Sequence, residues 1–422
     1  MNADQIRSLQ PELAALLERF RVCFKREVTF EYCQNYVMGL MTDLKRKSVE
    51  PIALAAGVPV RTLQEFLAQF RWDEFRLDAM LQQLVADRQG CEQAIGVIDG
   101  SGHAKQGDKT PGVKRQWCGE TGKVDNCVVG QHLLYTDNDP KNPFSCMLAS
   151  DLYLPKDWDE DRERCEEAGI PDAVVYQPKW QIAIDQVSDA SAHGVRFAWV
   201  TFDEEYGNVP AFWFSLNALG QRGIGEVPSN FLCWPTYPSC HSLQGPHAAK
   251  RVDNVCRHSP VFTEQDWYRM KIKKGTRGPI IWEVKAARVH LVDTTESVSK
   301  PTDRQYWLIV ARHPRTEEIK YFVSNASAKA TLKEMMIAAF ARWHVEKWFE
   351  RAKQECGFGA FEVRTYTSLI RHWLCSRLAM YFLAAATKRL RGEKPEDHVR
   401  AGGGGGQHLG LQSVESLVAL VG

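Results

Sequence analysis

No apolar run in this 422-residue chain reaches the roughly 18 residues that a membrane-crossing helix requires. The best candidate, "LAMYFLAAA" at 378–386, is half a span and follows Arg377. Net charge is nearly absent too: 53 Lys and Arg balance 52 Asp and Glu, formally +1, so any surface that attracts a polyanion must be local. The 12 cysteines form no C-x-x-C pair, and a chain of this size does not need disulfide staples, so reduced thiols are expected. Cys233, Cys240, His241, Cys256 and His258 lie near one another in sequence, but their spacings fit no standard zinc ligand pair. The N-terminal "MNADQIRSLQPELAALLERF" is amphipathic and carries acids, which excludes a secretory leader. What is present, 44% hydrophobic and 25% charged residues, is the balance of a globular protein large enough for two or three domains, expected in the cytoplasm with no membrane partner.

Helical spacing dominates the first 90 residues, in "LAALLERF", "CQNYVMGLMTDL" and "LQEFLAQFRWDEF". Within them "EPIALAAGVPVRTLQEFL" (51–68) reads either as a helix-turn-helix or as a plain helical hairpin. Gly57 sits at its turn, and Arg61 and Thr62 open the second helix. From residue 94 the pattern changes. "AIGVID" is a short buried strand, "KVDNCVVGQHLLY" (123–135) and "FSCMLASDLYL" (144–154) are two more, "PKWQIAIDQVSDASAHG" (178–194) is a helix, and "VRFAWVTFD" (195–203) is a fourth strand. Three strands, a helix and a strand is the opening order of a ribonuclease H-like α/β sheet, in which the first and fourth strands are neighbours. Residues 210–324 break the rhythm with runs such as "AFWFSL" and "QYWLIVARH" and read as a β-rich insertion. Helices resume near 328, and "GGGGG" (402–406) marks a flexible tail.

Asp99 and Asp203 end the first and fourth strands, and each alone is as consistent with a turn as with chemistry. A third acid changes the weighing. In "RWHVEKWFERAK", Arg342, Glu346 and Lys353 fall within about 40° of one helical face, a carboxylate flanked by two cations. Charge pairs on a solvated helix would give the same stripe. Trp343, Val345, Trp348 and Phe349 around it argue that the helix is packed. Three carboxylates without thiols or histidines suit Mg²⁺, and two such ions about 4 Å apart drive in-line phosphoryl displacement.

The stretch "DGSGHAKQG" (99–107), with "VKRQWCGETGKVDNC" (113–127), "DLYLPKDW" (151–158), "GIP" (169–171), Lys179 and "DEEYG" (203–207), resembles the DDE superfamily of bacterial insertion-sequence transposases whose first motif reads D-D-T-G-x-x-K-x-G. The likeness spans about residues 25–385, including "YVMGLMTDLKRKSVEPIALAAGV" near the N-terminus. It implies a ribonuclease H-like mixed sheet flanked by helices, and Asp99, Asp203 and Glu346 as catalytic acids holding two Mg²⁺, with Mn²⁺ able to substitute. It implies phosphate contacts from Arg342, Lys353, Lys105 and Arg61. The expected partners are inverted-repeat DNA ends, target DNA and a second copy of the chain, at the bacterial nucleoid. Two positions depart from the pattern: Gly100 replaces a second aspartate, and Ala339, beside Phe340, stands where relatives carry tyrosine. Glu204, Glu205, Glu350 and Glu355 are excluded as ligands by position.

The resulting expectation is a helical DNA-binding region at 1–90, a catalytic domain from 91–209 and 325–390, the β-rich insertion at 210–324 and a tail at 391–422. Trp213, Trp234 and Trp282 of the insertion are candidates to stack on a flipped base, though core positions explain them as well. Residues 341–400 carry 12 Lys and Arg against 7 Asp and Glu, an excess suited to phosphate. The activity expected is cutting at element ends and joining of the freed 3′-hydroxyl. A non-catalytic DNA-binding descendant is the alternative.

Overall fold

The computed structural model describes residues 9–238, 247–275, 278–294 and 299–392, so the glycine-rich tail lies outside the described residues, as do Cys240 and His241. Helices of seven residues or more are α1 (Leu9–Glu18), α2 (Glu27–Met41), α3 (Val49–Ala55), α4 (Val60–Ala68), α5 (Glu74–Gln89), α6 (Lys179–Ala192), α7 (Pro210–Ala218), α8 (Val252–His258), α9 (Leu332–Phe340), α10 (Trp343–Cys356) and α11 (Tyr366–Gly392). The strands are β1 (Ile95–Ala104), β2 (Lys114–Cys118), β3 (Lys123–Thr136), β4 (Ser145–Leu152), β5 (Trp199–Phe202), β6 (Gly223–Val227), β7 (Leu232–Trp234), β8 (Lys250–Arg251), β9 (Tyr268–Gly275), β10 (Gly278–Asp293), β11 (Lys300–Arg312) and β12 (Ile319–Ser324).

All twelve strands join one sheet. Its first part runs β4-β3-β1-β5-β6, with β3 antiparallel to both β4 and β1, and β1, β5 and β6 parallel. Three antiparallel strands followed by two parallel ones in this order is the ribonuclease H-like arrangement. β12, β11 and β10 extend the sheet antiparallel from β6, with β9 and the β7–β8 pair at its far side. The stretch 210–324 therefore supplies the fifth strand of the catalytic sheet and continues it edge to edge, with no break in the sheet at 209/210.

Two local expectations fail for clear physical reasons. The strand expected to end at Asp99 runs on to Ala104, because β3 pairs with it from Ile95↔Thr136 to Ala104↔Cys127. Gly102 lets the β2 hairpin close over that extension, since a Cβ there would lie 3.0 Å from the Gly119 nitrogen. The run "AFWFSL" is helix α7, opened by Pro210 in its first turn, with Phe212, Trp213 and Leu216 buried. Trp213, Trp234 and Trp282 are all core residues. Trp213 donates to the Gly207 carbonyl at 2.8 Å, and Trp282 packs on Phe340 with ring centroids 5.2 Å apart. None is exposed for stacking on a base.

The α3–α4 pair has the turn geometry expected of 51–68, with Gly57 left-handed at φ +65 and Arg61 exposed and ion-paired to Glu65 at 2.8 Å. Its inner face is fastened to α11. Arg371 donates to the Phe66, Leu67 and Phe70 carbonyls at the end of α4 and pairs with Glu74 at 2.9 Å. The carbonyls that a helix end leaves without partners are thus met by a buried guanidinium.

Helix α10 stops at Gly357, left-handed at φ +58, where a Cβ would come within 2.5 Å of the Lys47 Cβ. Lys47 in turn donates to the Glu355 carbonyl in that last turn and to Leu40 at the end of α2. Gly357→Ala adds both left-handed strain and a clash, so it should destabilise the fold by about 2–4 kcal/mol. The check is the midpoint of urea unfolding, which should fall without a change in slope.

Candidate active site

Parallel pairing runs as far as Val97 beside Thr201, and Asp99 and Asp203 each stand two residues beyond that pair, close enough for the charge of one to act on the other. Each carboxylate is steadied by the backbone. Asp99 accepts from the Gly100 N–H at 2.8 Å. Asp203 caps the one-turn helix Glu204–Gly207, accepting from the Glu205 N–H at 2.9 Å. Behind them the Tyr206 hydroxyl donates to Gln131 at 2.5 Å, and Gln131 reaches the Asp99 carbonyl at 3.5 Å. Neither Tyr206 nor Gln131 was singled out by the sequence. Tyr206 stands in "DEEYG", three positions after an acid, but only pairing across the sheet brings it behind Asp99.

Arg342 precedes α10 and joins the third acid to the first. It donates to Asp99 at 3.2 Å and to Glu346 one turn along. Glu346 itself is 57% exposed. The three acids are thus drawn to one place, but the guanidinium stands between Asp99 and Glu346. Among the described residues no group of three acidic, histidine or cysteine side chains is arranged to hold a metal ion.

The electrostatics follow from that packing. Burial raises the Asp99 pKa, and Asp203 raises it further; against Arg342 and the Gly100 N–H, the result is about 7. Asp203 is raised for the same first reason, with Glu205 adding to it. Burial opposes the charge on Arg342, but Asp99, Glu346 and Asp203 outweigh it and hold its pKa above the usual guanidinium value.

The other expected cations have structural partners. Lys353 donates to the Gly102 carbonyl at 3.3 Å. Lys105 donates to the Gly359 and Phe361 carbonyls at 2.9 and 2.7 Å and lies 3.5 Å from the Phe361 ring centroid. Burial lowers its pKa to about 8. Lys105 therefore ties β1 to the segment after α10 instead of presenting a free ammonium. Among the excluded acids, Glu205 pairs with Lys179 at 2.7 Å and Glu350 with Lys347 at 2.5 Å. Gly100 is not demanded by space: a Cβ there meets only the Gly130 carbonyl at 3.6 Å and the Tyr206 hydroxyl at 3.9 Å.

An acid whose folded pKa exceeds its unfolded value takes up a proton on folding, so its ionisation costs stability. The metal-free protein should lose stability as pH rises from about 4 to about 7 through Asp99. Thermal melts across that range should show the loss, and Asp99→Asn should flatten it.

The chain is similar to known proteins in three comparisons. The family of DDE superfamily endonucleases matches residues 19–279, a span that contains Asp99 and Asp203 and ends before Glu346. A probable transposase for insertion sequence element IS701 from Microchaete diplosiphon is 29% identical over 346 residues, covering 81% of this chain and 79% of that one. A piggyBac transposase synaptic complex with hairpin DNA aligns at 11% identity with a TM-score of 0.43, covering 100% of this chain and 77% of that one. With the family matched over more than half its length, the chain belongs to the DDE superfamily of endonucleases.

Proposed function

We infer that this protein is an insertion-sequence DNA transposase, which cuts at element ends and joins the freed 3′-hydroxyl to target DNA. The observation that carries the reading is the closeness of Asp99 and Asp203, each two residues beyond the last paired position of adjacent parallel strands, with Arg342 linking Asp99 to Glu346. Divalent-metal dependence comes with the family. The ions proposed are two Mg²⁺, with Mn²⁺ as substitute.

The donor set fits a hard cation: two raised-pKa carboxylates, oxygen ligands only, with one guanidinium as their compensating charge. Asp99 and Asp203 would hold the metal, and Glu346 would complete the set on leaving Arg342. Bound metal supplies activation of a water or 3′-hydroxyl and stabilisation of the leaving oxygen. Arg342, freed from the acids, would hold the phosphodiester, with Lys353 next along the same helix face and Arg61 on the exposed start of α4. Tyr206 and Gln131 hold the Asp99 backbone in register behind the reacting groups. Two ends are handled by a homodimer at the bacterial nucleoid.

Purified protein should nick a plasmid carrying the element's ends when Mg²⁺ is added. Asp99→Asn, Asp203→Asn and Glu346→Gln should each lower nicking by roughly 10³-fold, the scale of several kcal/mol of lost metal stabilisation. Arg342→Gln should cost about 10²-fold, as for one lost charge-stabilising donor. Binding of the ends without cutting by the unaltered protein would instead establish the non-catalytic alternative.

A further inference from the structure

The sequence from the start of β9 to the start of β10 reads "YRMKIKKGTRG" (268–278), with five Lys and Arg and no acid, in a chain whose charges otherwise nearly cancel. β9 is hydrogen-bonded on one side only, to β10. Its side chains divide by face: Met270 and Ile272 are buried, whereas Arg269 and Lys271 are exposed. Neither exposed cation has an ion-pair partner among the described residues.

Register extends this basic face inward. Glu283 of β10 lies opposite both Arg269 of β9 and Arg312 of β11, and its carboxylate goes to Arg312 at 2.8 Å. Lys285 is on the same face, and Lys285 and Arg312 lie 5.0 and 4.4 Å from the Trp267 ring centroid. Four cations therefore share one face with a single, already paired carboxylate. The other face of this hairpin, through Trp282 and Phe340, is packed on α9.

We propose that the exposed face of β9 and β10 is a sequence-independent binding surface for the phosphate backbone of duplex DNA. Lysines on an edge strand also block unwanted strand pairing. Behind the strand Lys285 donates to the Phe262 carbonyl at 2.9 Å and Arg312 is paired with Glu283, so the free charge of this face is that of Arg269 and Lys271, backed by two cations held in place. A row of guanidinium and ammonium groups whose one carboxylate is already paired matches the regular charge of a duplex, and contacts to phosphate carry no sequence information. Followed strand by strand, Arg269 and Lys271 fall on the face opposite Asp99. Six strand spacings separate β9 from β1, roughly 30 Å at 4.8 Å each. The DNA held here is accordingly flanking or target duplex, away from the base pairs being cut.

This surface rests on the reading that the chain acts on DNA. The test uses the full chain in EDTA, so that binding is measured without cutting, on a duplex of the element end and on a scrambled duplex. The double variant Arg269→Gln/Lys271→Gln should bind both about tenfold more weakly at 0.1 M salt, by the same factor. The slope of log K against log salt should shrink by about 2, near 0.9 per lost phosphate contact. An unchanged slope, or a loss confined to the element end, overturns the proposal. So does normal binding by a variant that aggregates on gel filtration, which would make these cations edge guards only. If the unaltered chain binds neither duplex, the DNA reading of the whole protein falls with it. If it binds and the variant matches it, only this surface falls.

Discussion

The structure depends on holding two carboxylates side by side, partly buried, at the place where two parallel strands diverge. Asp99 and Asp203 repel each other and are short of water, and both effects push their pKa values up. Two backbone N–H groups and one guanidinium offset that cost in the metal-free protein. Arg342 makes the arrangement sustainable, and it also keeps Glu346 from joining the pair.

The strand that carries Asp99 is held by a polar and aromatic network on the same face. Ser101 stands between His103 and His132 at 2.8 Å from each, and His132 continues to Ser150 at 2.9 Å. Both imidazoles are buried, and burial holds them well below the usual histidine range, so they serve as neutral hydrogen-bonding groups. Phe349 at the end of the acid's stripe, and Phe358 and Trp373 beyond it, pack edge-on or tilted against these rings. Lys105 and Lys353 reach backbone carbonyls on either side of the same interface. In this way the helix bearing Glu346 is set against β1 by Ser101 and His103, two and four residues after Asp99 on the same face of the strand.

Much of this was legible in the chain itself. Periodicity marked the N-terminal helices, the order of strands and helix from 94 to 203, and the acid that follows β5. The motif around Asp99 pointed to the family before any geometry was known. Each error has its own physical cause. "AFWFSL" carries apolar residues at almost every position, so its period is ambiguous until Phe202 and its neighbours decide which face is covered. The extension of β1 to Ala104 was hidden because "GSGH" looks like a turn unless a fourteen-residue partner strand lies alongside. The buried tryptophans were open to two readings, since exposure cannot be read from one strand alone.

By itself the sequence determined the repertoire: which residues could be acids in a site, which strongly periodic segments would be helices or strands, and that no segment had the length to cross a bilayer. Those properties are local, set by side-chain chemistry and by spacings of two or 3.6 residues. The tertiary structure decided which of those residues meet. It placed Arg342 between Asp99 and Glu346, turned Lys105 inward onto two carbonyls, and joined residues 210–324 to the catalytic sheet. Contacts between residues 99, 203 and 342 depend on register across strands and on the packing of a distant helix. Neither is encoded in any short stretch of the chain.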